Sequence, residues 1–414
     1  RKGSQSFRCA VAEMQGWRVS HEDAHEMRCS SSWAAWWVLD GHGGSFAAVD
    51  SAPAFASEFH GDLGDSSTAL PPDSRLEQGF VAVDERLREK VGADPGRASG
   101  STVVGALCLR QGDDFTLKVC NCGDCRCIVV RGPCEEEATA QAAAIRVPRH
   151  VGALGDDPAA VRRGGDGPEC RWPLIAETVD HKPSLSTERA RIEAAGGTVS
   201  EEEPPRVDGL LAVSRAIGDF EFKADAGRPV EEQKVSCIPD VYEISGLQKG
   251  TIIVLACDGV WDVISGNDLA TLVRDRLSAD PDLDLGDLAT EVINLCLTRN
   301  SRDNITCMIA QLVDGSDWAS IADEMKGYEK LLPEVKDVVD EDIRAQYTKF
   351  LVRCEFQQDV QVCSLCAKWT LGMSQCSCKQ VNYCCRQCQK KDWKKHKAVC
   401  TAQLGTTTKT GGTE

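Results

Sequence analysis

Two apolar runs dominate the hydrophobic pattern, and both end in the same way. WAAWWVL (33–39) runs directly into Asp40-Gly41-His42-Gly43-Gly44, and TIIVLAC (251–257) runs directly into Asp258-Gly259. Short unbroken apolar runs bounded by glycine predict strands buried on both faces. A small-residue turn followed by β-branched residues (ASGSTVVGALCL, 98–109) predicts another strand, and DNITCMIAQLV (303–313) predicts the last one. LKVCNCGDCRCIVV (117–130) reads as a hairpin of strand, Gly-Asp turn and strand. Leu76, Phe80, Val83 and Leu87 recur at helical spacing, and 288–298 predicts a second helix. Residues 132–171, rich in Gly, Ala, Pro, Arg and Asp, break this alternation and read as an inserted surface loop. Beyond it, 317–358 reads as mostly helical. Pro333 stands at a helix start, and an apolar stripe runs through Val335, Val338, Val339, Ile343, Tyr347, Phe350 and Leu351.

The polar residues at the strand ends carry the candidate chemistry. Glu22-Asp23, Asp40-Gly41, Asp258-Gly259 and Asp303-Asn304 are spread over almost the whole of this α/β pattern. One Asp-Gly pair is most simply a turn. Several carboxylates at the ends of buried strands are costly unless a proton, an ion pair or a metal compensates them. Hard divalent cations such as Mg²⁺ or Mn²⁺ take oxygen ligands of this kind.

Six ordered motifs sharpen the picture: GWRVSHEDAH (16–25), VLDGHGG (38–44), DHKPSLSTERARIEAAGG (180–197), GLLAVSRAIGDFEFK (209–223), ACDGVWDV (256–263) and SRDNIT (301–306). Together they resemble the PPM family of metal-dependent Ser/Thr protein phosphatases, the type-2C phosphatases, over about three quarters of the chain. The resemblance implies an α/β fold: a four-layer α-β-β-α sandwich of two mainly antiparallel sheets, with the metals at one edge. It implies that Asp40 bridges two Mg²⁺ or Mn²⁺ ions. Asp258 and Asp303 would complete one site, and Glu22 with the Gly41 carbonyl the other. Asp23 would orient the attacking water, His42 would act as general acid and Arg18 would hold the phosphate. Asp124 and Asp262 match positions of a third, weaker metal, although Asp124 could equally just close its turn. The reaction implied is hydrolysis of phosphoserine or phosphothreonine by a water or hydroxide bridging the metals. Cys-x₅-Arg spacings occur at Cys120/Arg126, Cys125/Arg131 and Cys296/Arg302, but none forms a Gly-rich loop between strand and helix, so a cysteine nucleophile is not indicated.

Charge and cysteine content divide the 414 residues in two. The formal net charge is −17, yet the segment from residue 363 onward has nine Lys/Arg against two Asp/Glu, a formal +7, which leaves −24 on the rest. An acidic body of that size disfavours nucleic acid as a partner. No run of eighteen apolar residues predicts a membrane span, and no signal-peptide pattern opens the chain. Eight of the 22 cysteines crowd between 363 and 400, which favours metal ligation in a reducing compartment, cytoplasmic and/or nuclear. The remaining cysteines lie in apolar strands and read as small hydrophobes.

The cysteine-rich segment pairs its ligands as Cys363-x₂-Cys366, Cys376-x-Cys378, Cys384-x₃-Cys388 and His396-x₃-Cys400. Eight N/S donors suit two tetrahedral Zn²⁺ ions, whose binding would supply the folding energy that so short a segment lacks. The segment resembles the MYND zinc finger. That resemblance implies cross-braced sites, with Cys363, Cys366, Cys384 and Cys388 on one zinc and Cys376, Cys378, His396 and Cys400 on the other. The single residue between Cys376 and Cys378 is shorter than the usual spacing, and Cys385 is an extra thiol. The resemblance also implies a short proline-containing peptide as partner. The domain expectation is 1–315 catalytic, 316–360 helical connector, 361–402 zinc finger and 403–414 disordered tail, in a monomer. The competing function is a pseudophosphatase scaffold or zinc-finger adaptor that binds partners without catalysis.

Overall fold

The computed structural model describes residues 1–64, 67–133, 143–148, 173–314, 361–365, 369–370, 374–376, 378, 381–383, 386–397 and 400. The chain divides into two compact units, Arg1–Glu324 and Met325–Glu414. The expected connector (316–360) and tail (403–414) lie outside the described residues, as does most of the 132–171 segment.

In chain order the first unit contains β1 (Lys2–Gly3), β2 (Phe7–Met14), β3 (Ala24–Cys29), β4 (Trp33–His42), α1 (Phe46–Glu58), α2 (Asp73–Ala93), β5 (Gly100–Gln111), β6 (Asp114–Cys122), β7 (Arg126–Val130), β8 (Ala144–Arg146), β9 (Leu174–Glu177), α3 (Ser186–Ala194), β10 (Ile217–Gly218), β11 (Asp240–Leu247), β12 (Ile252–Ala256), α4 (Asp258–Trp261), α5 (Gly266–Ala279), α6 (Leu285–Thr298) and β13 (Ile305–Leu312). One antiparallel sheet runs β1-β2-β13-β12-β7-β9. The other runs β3-β4-β5-β6-β11-β8, with β10 added to β5.

The sheets pack face to face because their strands present apolar side chains on both surfaces. Trp36, Val38, Val104, Val119, Leu255 and Met308 belong to one buried cluster that draws on both sheets. Alternate residues face outward to the helices. Trp37, Leu39, Val103 and Leu107 pack with Phe55 and Phe59 of the α1 region and Leu76, Phe80 and Val83 of α2. Helix α6 lies against β2 and β13, and α5 against β7 and β9. The result is the expected α-β-β-α order. Among the described residues no helix is long and apolar enough to cross a membrane.

Two expectations change. Residues 117–130 are not a hairpin. β6 pairs with β5 and β11, whereas β7 pairs with β12 and β9 in the other sheet. The Gly123-Asp124 turn therefore carries the chain from one sheet to the other. A hairpin and a sheet-to-sheet corner share the same local alternation, and only distant partners distinguish them. The four thiols nearby are buried: Cys120 and Cys122 face the helices, and Cys125 and Cys127 face the intersheet core. The expected insertion also contributes structure, because Ala144–Arg146 pair with Ser245–Glu243 of β11. Arg146 there bridges Asp73 and Glu243.

The helix-facing layer turns on one cross-strand pair. Trp37 and Gly105 are register partners. The indole stacks on Phe55, with centroids 4.8 Å apart and planes 15° apart. A Cβ at Gly105 would lie 2.0 Å from the Trp37 ring. Gly105→Ala is therefore expected to cost about 1–3 kcal/mol by overpacking, read as a lower denaturation midpoint with an unchanged m-value. In a Trp37→Leu background, where the ring is gone, the same change is expected to cost much less.

Candidate active site and zinc cluster

The strand ends expected to meet do meet. Arg18, Glu22, Asp40, Gly41, His42, Asp124, Asp258 and Asp303 all line one cleft of about 370 Å³ at the edge of the sandwich. Asp40 lies near the end of β4 opposite Thr102, and Ser101 Oγ donates to the Asp40 carbonyl (3.1 Å). Asp124 stands on the corner between the sheets. Asp258 opens α4 directly after β12, and Asp303 precedes β13.

The glycines of the Asp-Gly pairs act through absence of a side chain rather than through turn geometry. A Cβ on Gly41 would lie 2.3 Å from the Glu22 carbonyl oxygen, and one on Gly259 would lie 2.0 Å from that of Asn304. Each glycine lets the main chain of a second acidic segment close on the first. Asn304 ties these segments together. Its side chain accepts from the Glu22 N–H (2.8 Å) and donates to the carbonyls of Gln15 (2.7 Å) and Ser20 (2.9 Å).

The electrostatics are those of an anionic site. Asp40, Asp124 and Asp258 each offer an oxygen within 4.8 Å of the others, and so do Asp23 and Asp40 with the Cys257 thiol. Burial, then the neighbouring carboxylates, holds the pKa of Asp40 and Asp258 well above the usual range. Asp23 lies beneath the cleft, where burial raises its pKa to about 6 although Thr306 Oγ1 donates to it (2.6 Å). Asp258 Oδ1 and Asp23 Oδ1 are buried without a hydrogen-bond partner. Clustered oxygens with unused lone pairs suit a hard divalent cation. The clustered Asp40, Asp124 and Asp258 oxygens, with Glu22, Asp303 and the Gly41 main chain lining the same cleft, therefore make a donor set of the kind that suits Mg²⁺ or Mn²⁺.

Several side chains have partners that the sequence did not disclose. Arg18 Nη2 pairs with Asp303 Oδ2 at 2.5 Å. Burial opposes the Arg18 charge, but Asp303 outweighs it and raises the pKa. Lys182, of the DHKP motif, pairs with Asp124. Two cations thus compensate part of the cluster, at Asp303 and Asp124. The Glu22 carboxylate accepts from Ser20 Oγ (2.6 Å) and from the Gly44 N–H (3.1 Å). His42 Nε2 lies 2.7 Å from Asp219 Oδ2. Burial disfavours the charged imidazole, but Asp219 prevails and raises its pKa. Asp262 is exposed after α4 and is not among the residues lining the cleft. Arg206 and 211–213 do line it.

In the second unit, Cys376, Cys378, His396 and Cys400 gather their ligand atoms within 4.8 Å. His396 Nε2 lies 3.3 Å from both Cys376 Sγ and Cys378 Sγ, and Cys376 Sγ lies 3.7 Å from Cys400 Sγ. The short Cys376/Cys378 spacing therefore brings both thiols to one imidazole. Cys376 and Cys378 lie between the paired segments Ser374–Gln375 and Asn382–Tyr383, His396 ends the helix Arg386–His396, and Cys400 follows it. Tyr383 Oη donates to Asp392 of that helix (2.7 Å). This donor set fits Zn²⁺. Of the other expected set, Cys363 is buried and Cys388 half-buried, while Cys366 and Cys384 lie outside the described residues, as does Cys385.

Known proteins agree with both units. The Protein phosphatase 2C family model matches residues 7–142 and 149–305, and the MYND finger model matches 363–400. The chain is 36% identical over 315 residues to Probable protein phosphatase 1N of Mus musculus, covering 74% of this chain and 65% of that protein. It is 34% identical over 319 residues to Protein phosphatase 1A of Homo sapiens, covering 73% of this chain and 70% of that one. In fold it is similar to a phosphatase from Toxoplasma gondii, with a TM-score of 0.61, 23% identity, and coverage of 78% of this chain and 98% of that one. The clustered strand-end carboxylates, the two-sheet sandwich and the family match together show that this chain belongs to the protein phosphatase 2C family and carries a MYND finger.

Proposed function

We propose that the protein is a Mg²⁺- or Mn²⁺-dependent serine/threonine protein phosphatase whose zinc finger engages a protein partner. The observation that carries this reading is the convergence of Asp40, Asp124, Asp258, Asp303 and Glu22 on one cleft with His42 and Arg18. A scaffold without catalysis has no use for so many clustered carboxylates, and every ligand position and the acid are filled. When bound, the divalent cations supply Lewis acidity toward water and the phosphate oxygens. Asp23, buried below the cleft and near Asp40, orients water. Arg18 stands at the mouth, where a phosphate can share its guanidinium with Asp303. His42 gives a proton to the departing serine or threonine oxygen. Asp124, with Asp262 nearby on the surface, is the proposed anchor of a weaker third cation in competition with Lys182.

The substrates are phosphoproteins. The proposed partner of the finger is a short proline-containing peptide, the protein is a monomer, and its place is the cytoplasm and/or the nucleus. The finger's zinc is held by Cys376, Cys378, His396 and Cys400, and a second by Cys363, Cys366, Cys384 and Cys388.

Purified protein is expected to hydrolyse a phosphoserine or phosphothreonine peptide with Mn²⁺ or Mg²⁺ and not with EDTA. Asp258→Asn is expected to lose most of this turnover and to keep its circular dichroism. Unchanged turnover in that variant would reject the metal assignment.

His42→Gln is expected to lower turnover of phosphoserine peptide on the order of a hundredfold, within the range of general acid catalysis, and that of p-nitrophenyl phosphate far less, because a phenolate leaves without full protonation. Equal losses would remove His42 from the acid role.

Elemental analysis of the reduced protein is expected to find two zinc ions per chain. Thiolate ligands and oxygen ligands select different metals. A zinc-selective chelator is therefore expected to abolish partner binding while Mn²⁺-supported peptide turnover persists. Zinc-free native protein would refute the finger.

A further inference from the structure

His42 and Asp219 are 177 positions apart, yet the structure spends several elements on bringing them together. Asp219 has φ 50 and ψ 43, a left-handed conformation that non-glycine residues seldom adopt. Such backbone persists only where its surroundings over-determine it, and it clusters at functional sites. Ile217–Gly218 pair with Ser101–Gly100 at the start of β5, and the Asp219 N–H donates to the Ser99 carbonyl (3.3 Å). From α2, Asp84 accepts from the Gly218 N–H (2.7 Å) and from Lys223 Nζ (2.8 Å), and all three are buried. Lys223 also donates to the Ala216 carbonyl (2.9 Å). The segment is thus pinned on both sides of Asp219.

The carboxylate itself fills the space left by a glycine. A Cβ on Gly100 would lie 2.1 Å from Asp219 Oδ2 and 2.3 Å from Cγ and Oδ1. In that space Asp219 Oδ2 lies 2.7 Å from His42 Nε2.

We propose that Asp219 is the positioning residue of the general acid: it accepts the hydrogen bond of His42 Nε2–H, and so fixes the ring and leaves Nδ1–H as the proton that is given away. As the bond between phosphorus and the seryl oxygen breaks, that oxygen takes the Nδ1 proton. The imidazole becomes neutral and keeps Nε2–H on Asp219, while water supplies the new bond to phosphorus. A hydrogen-bonded carboxylate orients an imidazole in the same way in other acid–base sites. The proposal rests on the phosphatase reading and on His42 as acid, and it adds the residue that holds that acid.

Full-length Asp219→Asn is expected to lose about a hundredfold in kcat on a phosphoserine peptide, with little change in KM. Its loss on p-nitrophenyl phosphate is expected to stay below about threefold, since that leaving group needs little protonation. Added to His42→Gln, Asp219→Asn is expected to lower kcat no further. Gly100→Ala gives an independent arm, because it displaces the carboxylate without removing it. It is expected to reproduce the peptide-selective loss in the Asp219 protein and to cost little more in an Asp219→Ala background. Equal losses on both substrates, or losses that multiply with His42→Gln, would overturn the proposal and leave the phosphatase reading standing. A wild-type protein without activity on either substrate would reject both.

Discussion

Mutual repulsion among buried carboxylates is the constraint on which this architecture depends. Asp40 comes from one sheet, Asp258 and Asp303 flank strands of the other, and Asp124 sits on the corner that joins them. Left to themselves, these groups would push the sheet edges apart or take up protons, and the pKa of Asp40 and Asp258, raised first by burial and then by these neighbours, expresses that tendency. The sandwich resists because its strands are fixed behind the site by continuous apolar packing on both faces. The chain adds local restraint in three forms. Glycines admit close carbonyls at Gly41 and Gly259, Asn304 laces two acidic segments together, and Lys182 and Arg18 neutralise two of the carboxylates. What remains uncompensated at Asp40 and Asp258 is the part that a divalent cation suits.

The two units solve opposite problems with metals. In the first, apolar burial makes the fold and leaves a hard-oxygen cluster exposed to a cleft. In the second, among the described residues, Cys376, Cys378, His396 and Cys400 form a cluster of soft donors, the kind of set through which a bound metal contributes folding energy. The two donor sets differ in softness, oxygen in one and sulfur with one imidazole in the other, and so suit different metals.

Much of this was legible along the chain. The apolar runs that lead into Asp40 and Asp258 announce themselves because several carboxylates at buried strand ends together call for a compensating partner, where one alone would read as a turn. The helix from Asp73 to Ala93 shows in its spacing of Leu76, Phe80, Val83 and Leu87. The eight paired ligands of the finger show in the spacing of cysteine and histidine, and the resemblance to the MYND finger implied which four share an ion. What was not legible depends on distant partners. The 117–130 segment has the alternation of a hairpin, and nothing local says that its two strands join different sheets. Asp219 looks like another Gly-Asp turn, as Gly123-Asp124 does. Its link to His42 exists only once β10 is laid on β5. Lys182 stands 58 positions from Asp124, so their pairing exists only once the fold brings the two segments together.

The three residues of β8 have a further consequence for how this protein behaves in a crowded solution. They end the seven-stranded sheet beyond β11, an eight-residue strand that would otherwise present its own row of free amide and carbonyl groups. Arg146 sets a charge on that rim, and Asp73 and Glu243 anchor it. A chain shortened through 132–171 would expose a ready template for pairing with a second copy. Length in this segment therefore bears on colloidal behaviour, and a shortened relative needs some other cover for the same edge.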